Sequence, residues 1–423
     1  MEARFVPPGS KLIFAKGRAN TCSVTGNTAL VGVIVVPPGF DADTPIGGLK
    51  PLVRHALSLQ AAGVSRIDVV GAASTGGWAH ARLRVPVHAV ETTPALAEGE
   101  HALLVHATCS PHRLAPGYVA QGWRRGEVEA PAWFGAVAGM LGLVDAGALA
   151  KAADGTIQTS SQPARGLPPG MFVAPASDAS ERGAATQRHL ASLSKATGGV
   201  LDRLVMRPVT RQLTRVLCRT GVTPNMVSVF SIVLALFAAY LVSLPEPRFG
   251  VYGGALLIVV RFVDCIDGEL ARLKYMGSRL GAWLDTLGDG VGIFAFVLAV
   301  WVHVLATDPA DLLMWRVVGI VGLVSWVIVQ VLQVVASQRI SGSGSVQEIA
   351  WGHLQAERTV AERLVSVVAV FARIDTISVG YAILSMAGSY RALLALHAVS
   401  AGLGVLYFSL QLLRKRVGKV SAA

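Results

Sequence analysis

The sequence predicts an α/β soluble domain followed by an all-α six-helix transmembrane domain. Three observations lead to that reading. The first part of the chain alternates short apolar runs with an amphipathic segment, the pattern of strand, helix and strand. After residue 225 come six long apolar stretches. The second and third of these carry a cluster of acids that has no place in ordinary bilayer-spanning sequence. Composition agrees: 52% of residues are hydrophobic and only 15% charged, with a mean hydropathy of +0.54 that is high for a soluble protein.

Residues 31–36 (V-G-V-I-V-V) read as a buried strand, followed by a Pro/Gly/Asp turn. The run G-G-L-K-P-L-V-R-H-A-L-S-L-Q-A-A-G-V-S then reads as an amphipathic helix, with R-I-D-V-V-G as the second strand and A-L-L-V-H-A as a later one. The stretch 152–190 is rich in Gly, Pro, Ser, Thr and Ala without periodicity, and fits either a linker or the irregular end of this domain. The expected division is 1–190 for the soluble domain with its linker, 191–222 for a juxtamembrane amphipathic helix and 223–423 for the membrane domain.

The juxtamembrane segment accounts for part of the net charge of +11. Arg203, Arg207, Arg211, Arg215 and Arg219 recur every four residues, which on a helix makes one basic row. Leu204, Leu213, Val216 and Leu217 supply an opposing apolar side. This is the pattern of an interfacial helix on an anionic inner leaflet. The row has no interleaved aromatics, so a nucleic-acid face is not expected.

The apolar stretches cover about 226–244, 249–267, 281–306, 315–336, 361–387 and 391–413. Each is near the roughly 20 residues a membrane helix needs. The loops on one side hold nine Lys or Arg, the opposite loops only Arg248 and Arg391. The positive-inside rule therefore places both termini and the acid cluster on the cytoplasmic face of the cell inner membrane. The first residues, M-E-A-R-F-V-P-P-G-S-K, lack the apolar segment of a cleavable leader. The four cysteines are scattered, without a C-x-x-C pair, as expected of reduced thiols.

The acids lie in D-C-I-D-G-E-L-A-R, eight residues, then G-A-W-L-D-T-L-G-D. Each charge at bilayer depth opposes insertion by about 2.5–3.5 kcal/mol, so the cluster needs compensation. Asp264 and Asp267 are three apart and share a helix face; Gly281, Asp285 and Asp289 recur every four residues on the next helix. Facing helices would present all four carboxylates to one cavity, and hard oxygen donors at that density suit Mg²⁺, Mn²⁺ or Ca²⁺. Arg272 lies five residues beyond Asp267, within reach as a fork-shaped phosphate binder. A cation transporter with an acidic cavity is the rival reading.

The pattern D-x2-D-G-x2-A-R-x8-G-x3-D-x3-D, formed by Asp264, Asp267, Gly268, Ala271, Arg272, Gly281, Asp285 and Asp289, resembles the signature of the CDP-alcohol phosphotransferases. The lead-in R-P-V-T-R-Q-L-T-R-V-L-C-R-T-G-V-T-P-N is similar to the amphipathic approach to the first membrane helix in that family. The resemblance implies a membrane enzyme that moves a substituted phosphate from a CDP-alcohol to an acceptor alcohol and releases CMP. It implies Mg²⁺ or Mn²⁺ on Asp264, Asp267, Asp285 and Asp289, with Asp289 as general base. It implies a nucleotide site formed by Pro224, Asn225, Gly268, Ala271, Arg272, Ser278 and Gly281, and a homodimer. Arg373 is a candidate for the acceptor's phosphate or polyol, with Arg339 and Arg358 behind it, whereas Glu269 reads as a structural acid.

The N-terminal part resembles a sugar-1-phosphate nucleotidyltransferase domain of Rossmann type, as in enzymes of the di-myo-inositol phosphate phosphate synthase kind; S-R-L-G-A-W-L-D-T and L-S-K-A-T-G-G-V-L-D-R are similar to that subgroup too. Its chemistry is missing here. Pro37 and Pro38 remove amide donors from the expected phosphate loop. Ala107, Thr108 and Cys109 stand where a metal-binding acid is expected, Ala174 where a second one is, and only Asp178 and Lys50 remain. A degenerate domain kept as scaffold, dimer contact or regulatory module is the expectation. The donor is then CDP-diacylglycerol or a CDP-inositol-like molecule, and the acceptor an alcohol or phosphorylated polyol.

Overall fold

The computed structural model describes residues 29–71, 80–135, 140–153, 164–193, 202–307, 311–336 and 374–420. Its N-terminal part is built on a mixed sheet. Strand β1 (Leu30–Val35) pairs in parallel with β2 (Ile67–Val70) and β4 (His101–His106), and β3 (Val87–Val90) extends the sheet beyond β2. On the other side β7 (Leu141–Val144) runs antiparallel to β4, and β6 (Ala132–Trp133) antiparallel to β7. The expected strands and the βαβ alternation are present, completed by antiparallel pairs on one flank.

Helices cover both faces, and the alternation of β1 explains why. Leu30 and Ile34 point to one side, where they pack with Leu52 and Leu59 of α1 (Pro51–Ala62) and Val119 of α2 (Ala115–Arg124). Val31, Val33 and Val35 point to the other, against Leu149 of α3 (Ala146–Ala153). A strand buried on both faces must be apolar throughout, as this one is. Proline opens α1 at its first position, and Gly63, with φ +79°, closes it in the left-handed conformation glycine tolerates.

Residues 164–190 of the compositionally ambiguous stretch belong to this fold. Strand β8 (Val173–Pro175) pairs antiparallel with β5 (Cys109–Pro111), and α4 (Ala179–Ala191) follows, capped by Asp178, whose carboxylate accepts from the Glu181 amide at 2.8 Å.

The C-terminal part is helical. After a short π-helical turn (Asp202–Met206) come α5 (Arg207–Leu217), α6 (Pro224–Ser243), α7 (Pro247–Leu273), α8 (Arg279–Thr307), α9 (Leu312–Ala336), α10 (Ile374–Met386) and α11 (Tyr390–Val420). Five of them, α6 to α9 and residues Tyr390–Ser409 of α11, are long and apolar enough to cross a membrane. Their large apolar side chains face outward, among them Phe230, Val233, Phe237 and Tyr240 on α6 and Val324, Val327 and Val331 on α9. The fifth expected stretch, 361–387, is represented by the shorter α10; its earlier residues, with Arg339, Arg358 and Arg373, lie outside the described residues. Small residues let the helices approach: a side chain on Gly254 would meet the Ala382 carbonyl at 2.6 Å, and one on Gly292 the Ala235 methyl at 3.1 Å.

The basic row of α5 differs from expectation. Leu204, Val209, Leu213 and Val216 are exposed as an apolar face, but the arginines do not form a common outward band. Arg207 is buried and ion-paired with Glu269 at 2.7 Å, and Arg211 reaches the Ala191 carbonyl at 3.4 Å; of the row's described side chains, Arg215 and Arg219 are exposed. The buried carboxylate of Glu269 on α7 turns the first part of the row inward. It also accepts from Thr210 at 3.0 Å and Thr214 at 2.6 Å, the structural role the sequence suggested.

The two parts are joined where α7 ends. Arg54 of α1 is buried and donates to the carbonyls of Leu273 (2.9 Å) and Ile46 (3.0 Å), with its guanidinium over the Tyr275 ring at 5.7 Å. Arg82 donates to the Lys274 carbonyl at 3.1 Å, and Lys274 in turn donates to that of Thr220 at 2.8 Å. Leu190 of α4 packs in one apolar cluster with Val227, Ile266 and Leu270 of the membrane helices.

Candidate active site between three membrane helices

The site forms where α6, α7 and α8 meet. One face of α7 carries Arg261, Asp264, Asp267 and Gly268, and α8 brings Asp285 and Asp289 opposite. Asp264, Asp267 and Asp285 each offer a carboxylate oxygen, and these atoms all lie within 4.8 Å of one another. Asp267 is buried and accepts a short hydrogen bond from Ser228 of α6, whose hydroxyl also reaches the Pro224 carbonyl at 3.2 Å. The cavity beside them is lined by Ser228, Ser231, Arg261, Asp264, Asp285 and Asp289.

Asp289 lies on the same cavity and is joined to Asp264 through Arg261. One guanidinium nitrogen of Arg261 lies 2.6 Å from Asp264 Oδ2 and 2.7 Å from Asp289 Oδ1, linking the acids of α7 and α8. Arg261 was not among the sequence candidates. The signal was available: it is a lone cation in the apolar run L-L-I-V-V-R-F-V, one turn before Asp264.

The other motif residues gather at the mouth. Thr223 caps α6 by accepting from the Met226 amide at 3.3 Å, and Pro224 opens the helix, which sets Asn225 facing α8. A side chain on Gly281 would meet Asn225 Oδ1 at 3.0 Å and Ser278 Oγ at 3.1 Å, and Ser278 already accepts the Gly281 amide at 2.9 Å. On α7 the Arg272 guanidinium folds over Gly268, where a Cβ would come 3.2 Å from Nη1. The absent side chains leave a cradle edged by an amide oxygen, a hydroxyl and a guanidinium. Ala271, one helical position before Arg272, adds little bulk.

The donor set suits a divalent metal. Three carboxylates brought this close repel one another, and all offer hard oxygen, which favours Mg²⁺ or Mn²⁺ over softer ions. Ser228 and Arg261 offset only part of the charge. The described residues thus fit such an ion.

The N-terminal part has no comparable set at its expected positions. Ala107 and Ala174 are buried core residues. Cys109 donates to the His106 carbonyl at 3.1 Å, and burial pushes its thiol pKa up. Lys50 is exposed and paired with Asp43 at 2.7 Å. Buried histidines line the domain instead: burial lowers His55 and His112 to about 4, and Ser110 meets His189 Nε2 at 2.7 Å.

Fold and site together define a multi-pass membrane protein with an acidic site between its helices. Residues 221–406 match the family described as CDP-alcohol phosphatidyltransferase. Similar proteins agree. A bifunctional IPC transferase and DIPP synthase of Aquifex aeolicus is 34% identical over 105 residues, covering 25% of this chain and 23% of its own. A phosphatidylinositol phosphate synthase of Mycobacteroides abscessus is 33% identical over 104 residues, 24% of this chain and 46% of its own. An archaetidylinositol phosphate synthase of Pyrococcus horikoshii is 32% identical over 85 residues, 20% of this chain and 43% of its own. The chain spans less than half the length of each of these three relatives.

Proposed function

We propose that the protein transfers a substituted phosphate from a CDP-alcohol to an acceptor alcohol, forming a phosphodiester and releasing CMP. The observation that carries this reading is the meeting of Asp264, Asp267 and Asp285 beside the Gly268–Arg272 and Asn225–Ser278–Gly281 edges. Asp264, Asp267 and Asp285, with Asp289 beside them, would hold Mg²⁺ or Mn²⁺. A bound divalent cation would neutralise the diphosphate and the charge developing on departing CMP.

The chain's own groups do the remaining work. Arg272 grips the phosphates, while Pro224, Asn225, Gly268, Ala271, Ser278 and Gly281 shape the nucleotide cradle. Arg261 holds Asp289 at the cavity wall. There Asp289 takes the acceptor's hydroxyl proton. The acceptor oxygen bonds to the β-phosphorus as the bond from that phosphorus to the bridging oxygen breaks, and that oxygen leaves with its electron pair as part of CMP. Arg373 is the proposed acceptor contact. The donor is CDP-diacylglycerol or CDP-inositol-like; two relatives are named as a phosphatidylinositol phosphate synthase and an archaetidylinositol phosphate synthase, which favours a phosphorylated polyol acceptor.

The same reading makes residues 1–190 a degenerate nucleotidyltransferase-like domain of Rossmann type, 191–222 a juxtamembrane helix and 223–423 a six-helix domain. It sets both termini on the cytoplasmic side of the inner membrane in a homodimer. The basic loops and the absent acids at Ala107 and Ala174 support this. The test uses purified full-length protein in detergent with Mg²⁺ or Mn²⁺ and a panel of CDP-alcohols and acceptors. Acceptor-dependent CMP release is expected. Cation uptake by proteoliposomes with no CMP release from any donor would favour a transporter instead.

A further inference from the structure

A cation is already built into the acid site. Arg261 is only 4% exposed and stands in an apolar run at bilayer depth, where a lone charge is costly. It lines the same cavity as Asp264, Asp285 and Asp289. One guanidinium nitrogen is 2.6 Å from Asp264 Oδ2 and 2.7 Å from Asp289 Oδ1, so it spans the gap between α7 and α8. In two-metal sites, an ion shared by carboxylates of neighbouring elements holds such a position. Here a nitrogen of the chain fills it. A second ion between Asp264 and Asp289 would have to push the guanidinium against Leu257, Val260 and Ile293, which also line the cavity. That would leave a charge buried among apolar groups. The triad needs no such displacement. Its three carboxylates offer oxygens within 4.8 Å of one another. Asp264 belongs to both groups, and its two oxygens let it serve a guanidinium and an ion at once.

We infer that the site takes one resident divalent cation, on Asp264, Asp267 and Asp285, and that Arg261 stands in for a second. This builds on the phosphotransfer reading and gives its site a stoichiometry. A guanidinium differs from an ion in what it supplies. It carries a single permanent charge and donates hydrogen bonds, but it has no open coordination position for a phosphate oxygen. Asp264 and Asp289 therefore keep their partner at any metal concentration, and the triad is left as the place where metal meets substrate.

Counting Mn²⁺ on the full-length protein in detergent, without nucleotide, tests this by equilibrium dialysis and low-temperature electron paramagnetic resonance. Wild type should bind one tight Mn²⁺ per chain and show the six-line signal of an isolated ion. Arg261→Ala takes the fixed charge from between Asp264 and Asp289 and should bind two, with the broadened signal of neighbouring ions. Arg261→Gln, which keeps hydrogen-bonding capacity without the charge, makes the same comparison if the alanine variant does not fold. Adding Asp289→Asn to the neutral variant should return the count to one. Two ions on wild type would overturn the inference, as would a single ion on a folded neutral variant. A count still at two after Asp289→Asn would place the extra ion elsewhere and overturn it too. CMP release from the same wild-type preparation reads the other claim separately. Two ions with CMP release would leave phosphotransfer standing without the inference. One ion with no CMP release from any donor, and two on the neutral variant, would keep the role of Arg261 and remove phosphotransfer. No Mn²⁺ on wild type would remove the metal site and the inference with it.

Discussion

Buried arginines are held differently in the two parts of the molecule. In the α/β part, Arg54 donates to the Ile46 and Leu273 carbonyls, and Arg182 to the Ala176 carbonyl at 3.0 Å and to Asp41 at 2.7 Å. In the membrane part, Arg207 meets Glu269 while Arg261 meets Asp264 and Asp289. Carbonyls belong to the backbone and are fixed once the fold forms. Carboxylates keep a full charge that can be shared with a metal, a proton or a substrate. The first arrangement builds a scaffold; the second keeps charge at bilayer depth only where neighbouring helices compensate it.

Removing a triad acid should break the contrast most completely. Asp267→Asn or Asp285→Asn should lower CMP release by a thousandfold or more, on the order expected for losing a metal ligand, and chelation with EDTA should do the same reversibly. Full activity in either variant would refute the metal site. Asp289→Ala should abolish turnover yet leave CDP affinity within about threefold, because it removes the proton acceptor and not the phosphate contacts. Lost affinity with intact residual chemistry would reverse that division of roles.

Smaller changes sharpen the comparison through stability. Glu269→Gln leaves Arg207 buried without its counter-charge and should destabilise the membrane part by about 3–5 kcal/mol, read as an earlier thermal transition. Cancelling the partner with Arg207→Met in the same chain should recover much of it. The α/β part responds to acid. His55 and His112 are lowered to about 4 by burial, from an ordinary 6.5. Between those values the unfolded chain binds protons that the folded chain refuses. Stability is therefore full above pH 6.5 and falls as the pH drops toward 4, by on the order of a few kcal/mol. His55→Gln with His112→Gln should flatten that slope. Asp178→Ala should cost about 1 kcal/mol through loss of the α4 cap, with CMP release unchanged.

Most of this was legible because local rules suffice where the period of side chains is regular. The alternation in V-G-V-I-V-V specifies a strand buried on both faces, and Asp264 with Asp267 must share a helix side whatever lies opposite. Gly281 could be singled out because a missing side chain leaves room, and geometry puts that room beside Asn225 and Ser278. The arginines were harder. Arg207 looks from spacing like any other member of a basic row, and nothing near it in sequence reveals Glu269, sixty-two residues away.

Composition, periodicity and the spaced acids were enough to predict an α/β part, a helical membrane part and a carboxylate cluster on two of its helices, because those properties are set by neighbours along the chain. That Arg261 bridges Asp264 and Asp289, and that Arg207 turns inward to Glu269, depended on packing between distant segments. Charge is felt through space, so its partners are chosen only when the helices and the domain have come together.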